Sequence, residues 1–311
     1  MLRLGENAYW AMGLVLLPAA AYVAVPEYFS VVILMYYYAA LGSAWNILGG
    51  RTGQLSFGNS AFLAVGAYTS TLLFLDYHVS PWVGMWVGGA LAAVTSLLLG
   101  LTSLRLKGPF FVMSSFAFVQ VVQLLLAHFT NITNGNVGLV LPLTDSLADM
   151  ESGNPLFYGY LIAGILLLAV SVNYAISKSK TGYFLSAIRE DEDAAKALGV
   201  NTARYKALAF VTSAFLTALI GTFYAQYLLF ITPTATASIP LSIQIAIIAI
   251  VGGRELWAPV LGGIMLEGFA FLVETLFPAI PGLNFAVYAV LLMAVIILSP
   301  SGVYKYVREH I

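Results

Sequence analysis

Residues 156–176 read LFYGYLIAGILLLAVSVNYAI, 21 residues without a charge, and Ser177-Lys178-Ser179-Lys180 follows at once. A helix rises 1.5 Å per residue, so about 20 apolar residues cross the ~30 Å of a bilayer's hydrocarbon. Hydrocarbon offers no partner to backbone N–H and C=O groups. A crossing segment must therefore pair them internally, as a helix does. Comparable runs recur at approximately 8–25, 29–49, 57–75, 81–103, 109–128, 206–230, 239–251, 257–277 and 283–299. The alternating pattern of a membrane barrel is absent. The expectation is an all-α fold, a polytopic membrane helical bundle of about ten segments.

Composition agrees. Of 311 residues, 60% are hydrophobic and 9% charged, against about 45–50% and roughly 25% in soluble domains. The chain has no cysteine, which excludes disulfides, thiolate metal sites and cysteine nucleophiles. His78, His128 and His310 are scattered, and no metal-binding spacing or cofactor motif occurs. No basic cluster points to nucleic acid. The nucleotide loop GxxxxGK[ST] is missing, so the chain does not hydrolyse ATP by that machinery. Nothing marks it as an enzyme.

Charge placement tests the segment count. Lys and Arg collect on the cytoplasmic side and cost ~2.5–3.5 kcal/mol at a helix centre. With the N-terminus in the cytoplasm and sides alternating, all 13 basic residues fall inside, from Arg3 and Arg51 to Lys305 and Arg308. The opposite loops carry Glu27, Asp76, Asp145, Asp149 and Glu151 without a basic residue. Both termini are thus expected in the cytoplasm. Arg3, the apolar run from Ala8 and Ala19-Ala20-Ala21 also fit a signal peptide; an uncleaved first helix is the expectation.

The external loop 129–155 divides the chain into halves, 1–128 and 156–311, each with five segments. An odd number makes the second half enter from the opposite face, the arithmetic of an inverted repeat.

Within the second half lies the cytoplasmic loop 177–206, the most charged part of the chain. Ala187, Ile188, Ala194, Ala195 and Leu198 recur there at helical spacing, and Gly199 is suited to end a helix. One short amphipathic helix over 187–199 is expected. It is either a solvated loop helix, one lying on the lipid surface, or one whose small Ala194 and Ala195 let a partner approach closely.

A second notable stretch is Gly49-Gly50-Arg51-Thr52-Gly53-Gln54-Leu55-Ser56-Phe57-Gly58-Asn59. Glycines weaken a helix by ~1 kcal/mol each relative to alanine. Such breaks occur in membranes where backbone lines a cavity or is buried in protein. Close helix packing through small residues is the alternative. Gln54, Ser56 and Asn59 are candidate path residues, as are Gln120 in the fifth segment and Glu267 in the ninth. An intramembrane carboxylate or amide faces protein or water, in a transport role or as a packed, hydrogen-bonded group.

Asp193-Ala194-Ala195, three residues and then Gly199 resembles the EAA loop of permeases of ATP-binding cassette (ABC) importers. Ala187-Ile188-Arg189 with Ala203-Arg204-Tyr205-Lys206 is similar to their branched-chain amino acid permeases. So are Gly50-x-x-Gly53-Gln54-Leu55-Ser56-x-Gly58, with Asn59 where the family usually has His, and Arg105-Leu106-Lys107-Gly108-Pro109. The resemblance covers roughly 36–300. It implies an inner-membrane permease subunit that pairs with a second homologous permease and with two cytoplasmic ATP-binding subunits. An extracytoplasmic substrate-binding protein would deliver substrate, and lipid would surround the bundle. Arg189, Asp193, Ala194, Ala195 and Gly199 would then belong to the ATPase-coupling element. The implied cargo is leucine, isoleucine, valine or a related molecule, with urea, short amides and other amino acids as alternatives. The rivals are a secondary transporter using Glu267 as its ion-coupling carboxylate, and a channel.

Overall fold

The computed structural model describes residues 2–103, 106, 108–277, 286, 289, 290, 293 and 304. The tenth expected segment, 283–299, falls largely outside them, as do Arg105, Lys107, Lys305 and Arg308.

Among the described residues the helices run in the order α1 (Leu2–Ala24), α2 (Phe29–Thr52), α3 (Asn59–Tyr77), α4 (Pro81–Ser103), α5 (Pro109–His128), α6 (Thr130–Thr133), α7 (Pro155–Lys178), α8 (Lys180–Glu190), α9 (Glu192–Ala197), α10 (Thr202–Leu228), α11 (Pro233–Thr236), α12 (Ile239–Gly252) and α13 (Ala258–Leu276). Several begin at proline: Pro81, Pro109 and Pro155 each open a long helix, where the missing N–H would have no partner anyway. Two short strands, β1 (Leu139–Val140) and β2 (Phe230–Ile231), pair antiparallel.

Seven helical spans among the described residues are long and apolar enough to cross a membrane: Pro26–Thr52, Pro81–Gly100, Pro109–His128, Pro155–Lys178, Thr202–Leu228, Pro233–Gly252 and Ala258–Leu276. Two of the expected ten fall short on this measure. The apolar part of α1, Tyr9–Ala24, is shorter. Helix α3 carries Asn59, Ser60, Thr69, Ser70, Thr71 and Asp76. Its polarity has a physical reason: Asn59, Ser60, Ser70 and Thr71 are buried in protein rather than turned to lipid, and Asn59 and Ser60 find hydrogen-bond partners there.

The chain packs as two units. One comprises Met1–Ser43, Asn154–Val172 and Ile247–Ile311. In it Ile248, Val251, Leu266 and Ala270 form a buried cluster, and Gly263 lies so close to the backbone of Ala39 that a Cβ would meet its N at 2.5 Å.

The other unit comprises Ala44–Gly153 and Asn173–Ala246. Its core is α3 wrapped by α10 and α4. Gly66 stands against the backbone of Ala218, and Gly221 against that of Leu63. Gly88 of α4 approaches Gly66, where an added Cβ would lie 3.1 Å from its Cα. Association inside a bilayer depends on such close backbone packing, because burial from lipid gives no hydrophobic gain. At one end of this core β1 joins β2, with Ile231 beside Ala67, Tyr68 and Ala225.

Candidate functional site

Helix α2 ends at Thr52, α3 begins at Asn59, and residues 53–58 between them are not helical. Gly53 takes φ +71°, the left-handed region open to glycine. Several of the freed backbone groups find partners. Gly53 N–H donates to Gly49 O at 3.0 Å, and Gln54 N–H to Thr52 Oγ1 at 3.2 Å. Trp45 Nε1 donates to Ser56 O at 2.7 Å. Phe57 N–H donates to Ser115 Oγ at 3.0 Å, and Gly58 N–H to Ser56 Oγ at 3.2 Å. The Phe57 and Phe116 rings stack with centroids 4.8 Å apart. Side chains thus serve part of the backbone that the interrupted helix leaves free.

Three of the five sequence-expected path residues occupy this junction. Gln54 is buried; its Nε2 reaches Leu106 O at 3.5 Å, while Oε1 has no protein partner. It borders an open pocket of about 460 Å³ walled by Leu55, Pro109, Val112, Met113 and Phe116. Ser56 is wholly buried. Asn59 Nδ2 donates to Thr217 Oγ1 at 3.1 Å and Ser213 Oγ at 3.4 Å, which ties α3 to α10. Next to it Ser242 Oγ donates to Ser60 Oγ at 2.7 Å and accepts from Ser60 N–H at 3.1 Å. Gln120 stands exposed on α5, and Glu267 is partly buried on α13 in the other unit.

Trp45, Ser115, Ser213, Thr217 and Ser242 were not singled out from sequence. Ser213 and Thr217 did carry a signal, being hydroxyls four apart on one face of an apolar helix.

The 187–199 region differs from expectation. It holds two helices, α8 and α9, broken at Asp191. Asp191 is extended (φ −156°), and its Oδ1 accepts from Asp193 N–H at 2.9 Å and Ala194 N–H at 3.0 Å. A carboxylate satisfying two orphan amides favours a new helix start over continuation. Helix α9 ends as expected: Gly199 has φ +84°, its N–H donates to Lys196 O at 2.9 Å, and Val200 N–H donates to Ala195 O at 3.1 Å.

Ala195 is buried against its own chain at 3% exposure, so it does not share an outward surface with Ala194. Asp191, Asp193, Ala194, Lys196, Ala197, Leu198 and Gly199 are exposed; Leu198, at 85% exposure, is an apolar side chain standing free of this chain. Arg189 turns inward, its guanidinium 3.4 Å from Gly50 O and 2.7 Å from Glu190 Oε1. Arg51 donates twice to Asn173 Oδ1, at 3.0 and 2.9 Å.

Glu192 fixes α9 to the foot of α10. Its carboxylate meets Lys206 Nζ at 2.5 Å and Lys196 Nζ at 3.0 Å, and Thr202 Oγ1 at 3.3 Å. Partial burial alone would raise its pKa, but the hydrogen bonds and charges of Lys206 and Lys196 outweigh that and lower it to about 2.

Long apolar helices, a helix break partly served by side chains, and buried hydroxyl and amide contacts between helices define a polytopic α-helical membrane protein. The chain belongs to the family described as branched-chain amino acid transport system / permease component, whose profile matches residues 27–299. Members of that family are transport permeases, not enzymes. The chain is 29% identical over 252 residues to the high-affinity branched-chain amino acid transport system permease protein LivM of Escherichia coli (strain K12). It has the same identity over the same length to LivM of Salmonella typhimurium (strain LT2). Each match covers 74% of this chain and 59% of the relative, so the chain spans about three-fifths of the length of these relatives. In fold it is similar to a solved structure, PsaBC from Streptococcus pneumoniae in complex with Fab, with TM-score 0.50 and 15% identity over 94% of this chain and 99% of that one.

Proposed function

We propose that this chain is the transmembrane permease subunit of an ABC importer and carries leucine, isoleucine, valine or a related small substrate across the inner membrane. The observation that carries the proposal is α9, a short, doubly capped helix held to α10 by Glu192 and Lys206, with Asp193, Ala194 and Leu198 outward. In a permease family member without a nucleotide loop, that outward face is suited to receive work from a separate ATPase. Two cytoplasmic ATP-binding subunits, a second homologous permease and an extracytoplasmic substrate-binding protein complete the assembly. Arg189, Asp193, Ala194, Ala195 and Gly199 form the coupling element: Asp193, Ala194 and Gly199 at its surface, Ala195 and the inward-turned Arg189 as its frame.

Both termini and the 177–206 loop lie in the cytoplasm, which makes ten crossings in two oppositely inserted sets of five. The path passes Gln54, Ser56 and Asn59, where buried amides and hydroxyls line the junction beside an apolar pocket. Gln120 and Glu267 take no part in this proposal, the first being exposed on α5 and the second belonging to the other unit. Urea and short amides remain the alternative cargo.

The test is co-expression with the ATP-binding subunits and reconstitution with the binding protein. ATP-dependent uptake of labelled leucine, abolished by a bulky Ala194→Trp, is the expected result. Uptake without ATP, or an ATPase that never co-purifies with the chain, refutes it.

A further inference from the structure

Two features that sequence reading treated separately touch in space. Arg189, at the end of α8, lays its aliphatic stem over Gly53 in the α2–α3 break. A Cβ on Gly53 would lie 2.9 Å from Arg189 Cγ and 3.8 Å from Cδ. Its guanidinium then donates to Gly50 O at 3.4 Å, while exposed Glu190 holds the outer edge at 2.7 Å. No other residue type combines that reach with a planar donor able to serve a carbonyl and a carboxylate together. Gly53 is required twice over: by φ +71° and by the side chain lying on it.

The rest of the wiring is short. Helix α9 is joined to α8 through Asp191 alone, whose N–H donates to Ala187 O at 3.1 Å while its carboxylate caps α9. A displacement of α9 therefore carries the end of α8 with it. Residues 53–58 have no helical ladder of their own and run directly into Asn59, which bonds α10 through Ser213 and Thr217.

We propose that Arg189 is a positioning residue that conveys movement of α8–α9 to the 53–58 junction, and so to the contact of Asn59 with α10. The inference rests on the permease reading above and deepens it, because it names the residue that connects the ATPase-facing element to the candidate path.

The experiment uses the reconstituted complex with its ATPase and binding-protein partners, and measures uptake and ATP hydrolysis together. Arg189→Ala should lower the substrate imported per ATP hydrolysed by about tenfold, within the usual range of coupling between sites. Arg189→Lys, which keeps the stem and one donor, should restore part of it. Gly53→Ala, which drives a methyl into the arginine stem while leaving the guanidinium in place, should lower the ratio too.

A second readout separates relay from simple stability. The chain has no cysteine and Leu55 is 42% exposed. A Leu55→Cys reporter should therefore react with a water-soluble maleimide at a rate that changes with ATP, and the change should vanish when Arg189→Ala is added. If Arg189→Ala does not assemble, the lysine and Gly53→Ala variants decide the matter. An unaltered import ratio in both, or a reporter still responsive to ATP beside Arg189→Ala, overturns the relay alone. A wild-type complex with no ATP-dependent uptake overturns the permease reading and the relay with it.

Discussion

Glu192→Gln tests how firmly α9 is held. Lys206 Nζ lies 2.5 Å from Glu192 Oε2, with the lysine side chain 5% exposed and the glutamate side chain 21% exposed. Removing one member of a buried pair costs about 3–5 kcal/mol, because the other charge is left uncompensated; a pair in water contributes ~0–1 kcal/mol. This pair lies between those limits. Glutamine still offers an amide oxygen, and the second cation, Lys196, is 46% exposed, so an i,i+4 contribution of about 0.3–0.5 kcal/mol is all it adds. The net loss is then about 2 kcal/mol, which multiplies the open population of α9 roughly 30-fold. Hydrogen exchange read by mass spectrometry on peptides covering 191–200 measures it through the amides of Ala195, Leu198, Gly199 and Val200, each bonded within this segment. Peptides from α3 should not change. Pairing Glu192→Gln with Lys206→Met should recover most of the protection, since no buried charge is then stranded. The pH dependence has a definite sign. A carboxylate whose folded pKa is about 2 against an ordinary 4.5 stabilises fully above the unfolded value, and loses that stabilisation as pH falls toward the folded one. Exchange in α9, corrected for its intrinsic rate, should therefore be flat from neutrality down to about pH 5.5 and rise only below it. Acceleration of less than about threefold in Glu192→Gln would refute this account of the network.

Gly66→Leu should destabilise the protein by about 3 kcal/mol or prevent folding, since the side chain would enter the backbone of Ala218. Gly164→Ala, at a helical site with nothing within 4 Å, should instead be neutral or stabilising by about 0.5–1 kcal/mol. Thermal melts of the purified chain in detergent compare the two. Asn59→Leu leaves Ser213 and Thr217 without their amide donor; a loss of about 1–2 kcal/mol is expected, with a fall in uptake larger than the fall in folded protein explains. Leu198→Ser, at a side chain 85% exposed, should change the permease's own stability by less than about 0.5 kcal/mol, yet weaken ATPase co-purification about tenfold.

The crossing helices were legible because lipid imposes one rule on each segment separately: enough apolar length, with proline tolerated at the start. Pro81, Pro109 and Pro155 open helices within one residue of the boundaries read from sequence. The break at 53–58 was legible for the same local reason, since four glycines and several polar residues crowd one membrane edge. What served its backbone was not. Trp45 and Ser115 act from 11 and 58 residues away, and Ser213 reaches the Asn59 side chain from 154; periodicity carries no information about pairing across such distances. Asp191 was obscured by its neighbours: in Arg189-Glu190-Asp191-Glu192-Asp193 four acids compete to cap a helix, and only the backbone path selects one. The position of the Arg189 stem was hidden for a related reason, since nothing local shows that Gly53 leaves room for it.

Along α3 two kinds of contact answer different demands. Gly66 and Gly221 bring backbone against backbone, and such packing has no substitute once helices part, because lipid cannot refill the space with equal contact. At the end beside the break, Asn59, Ser60, Ser213, Thr217 and Ser242 meet through hydroxyls and an amide. Those bonds are worth only about 0.5–1.5 kcal/mol each, because water can replace either partner. Separation of α3 from α10 is therefore cheapest at Asn59 and steeply more costly toward Gly66, two turns on. The junction next to Asn59 can therefore be drawn aside, with the glycine contact as fulcrum, without unpacking the core on the other side.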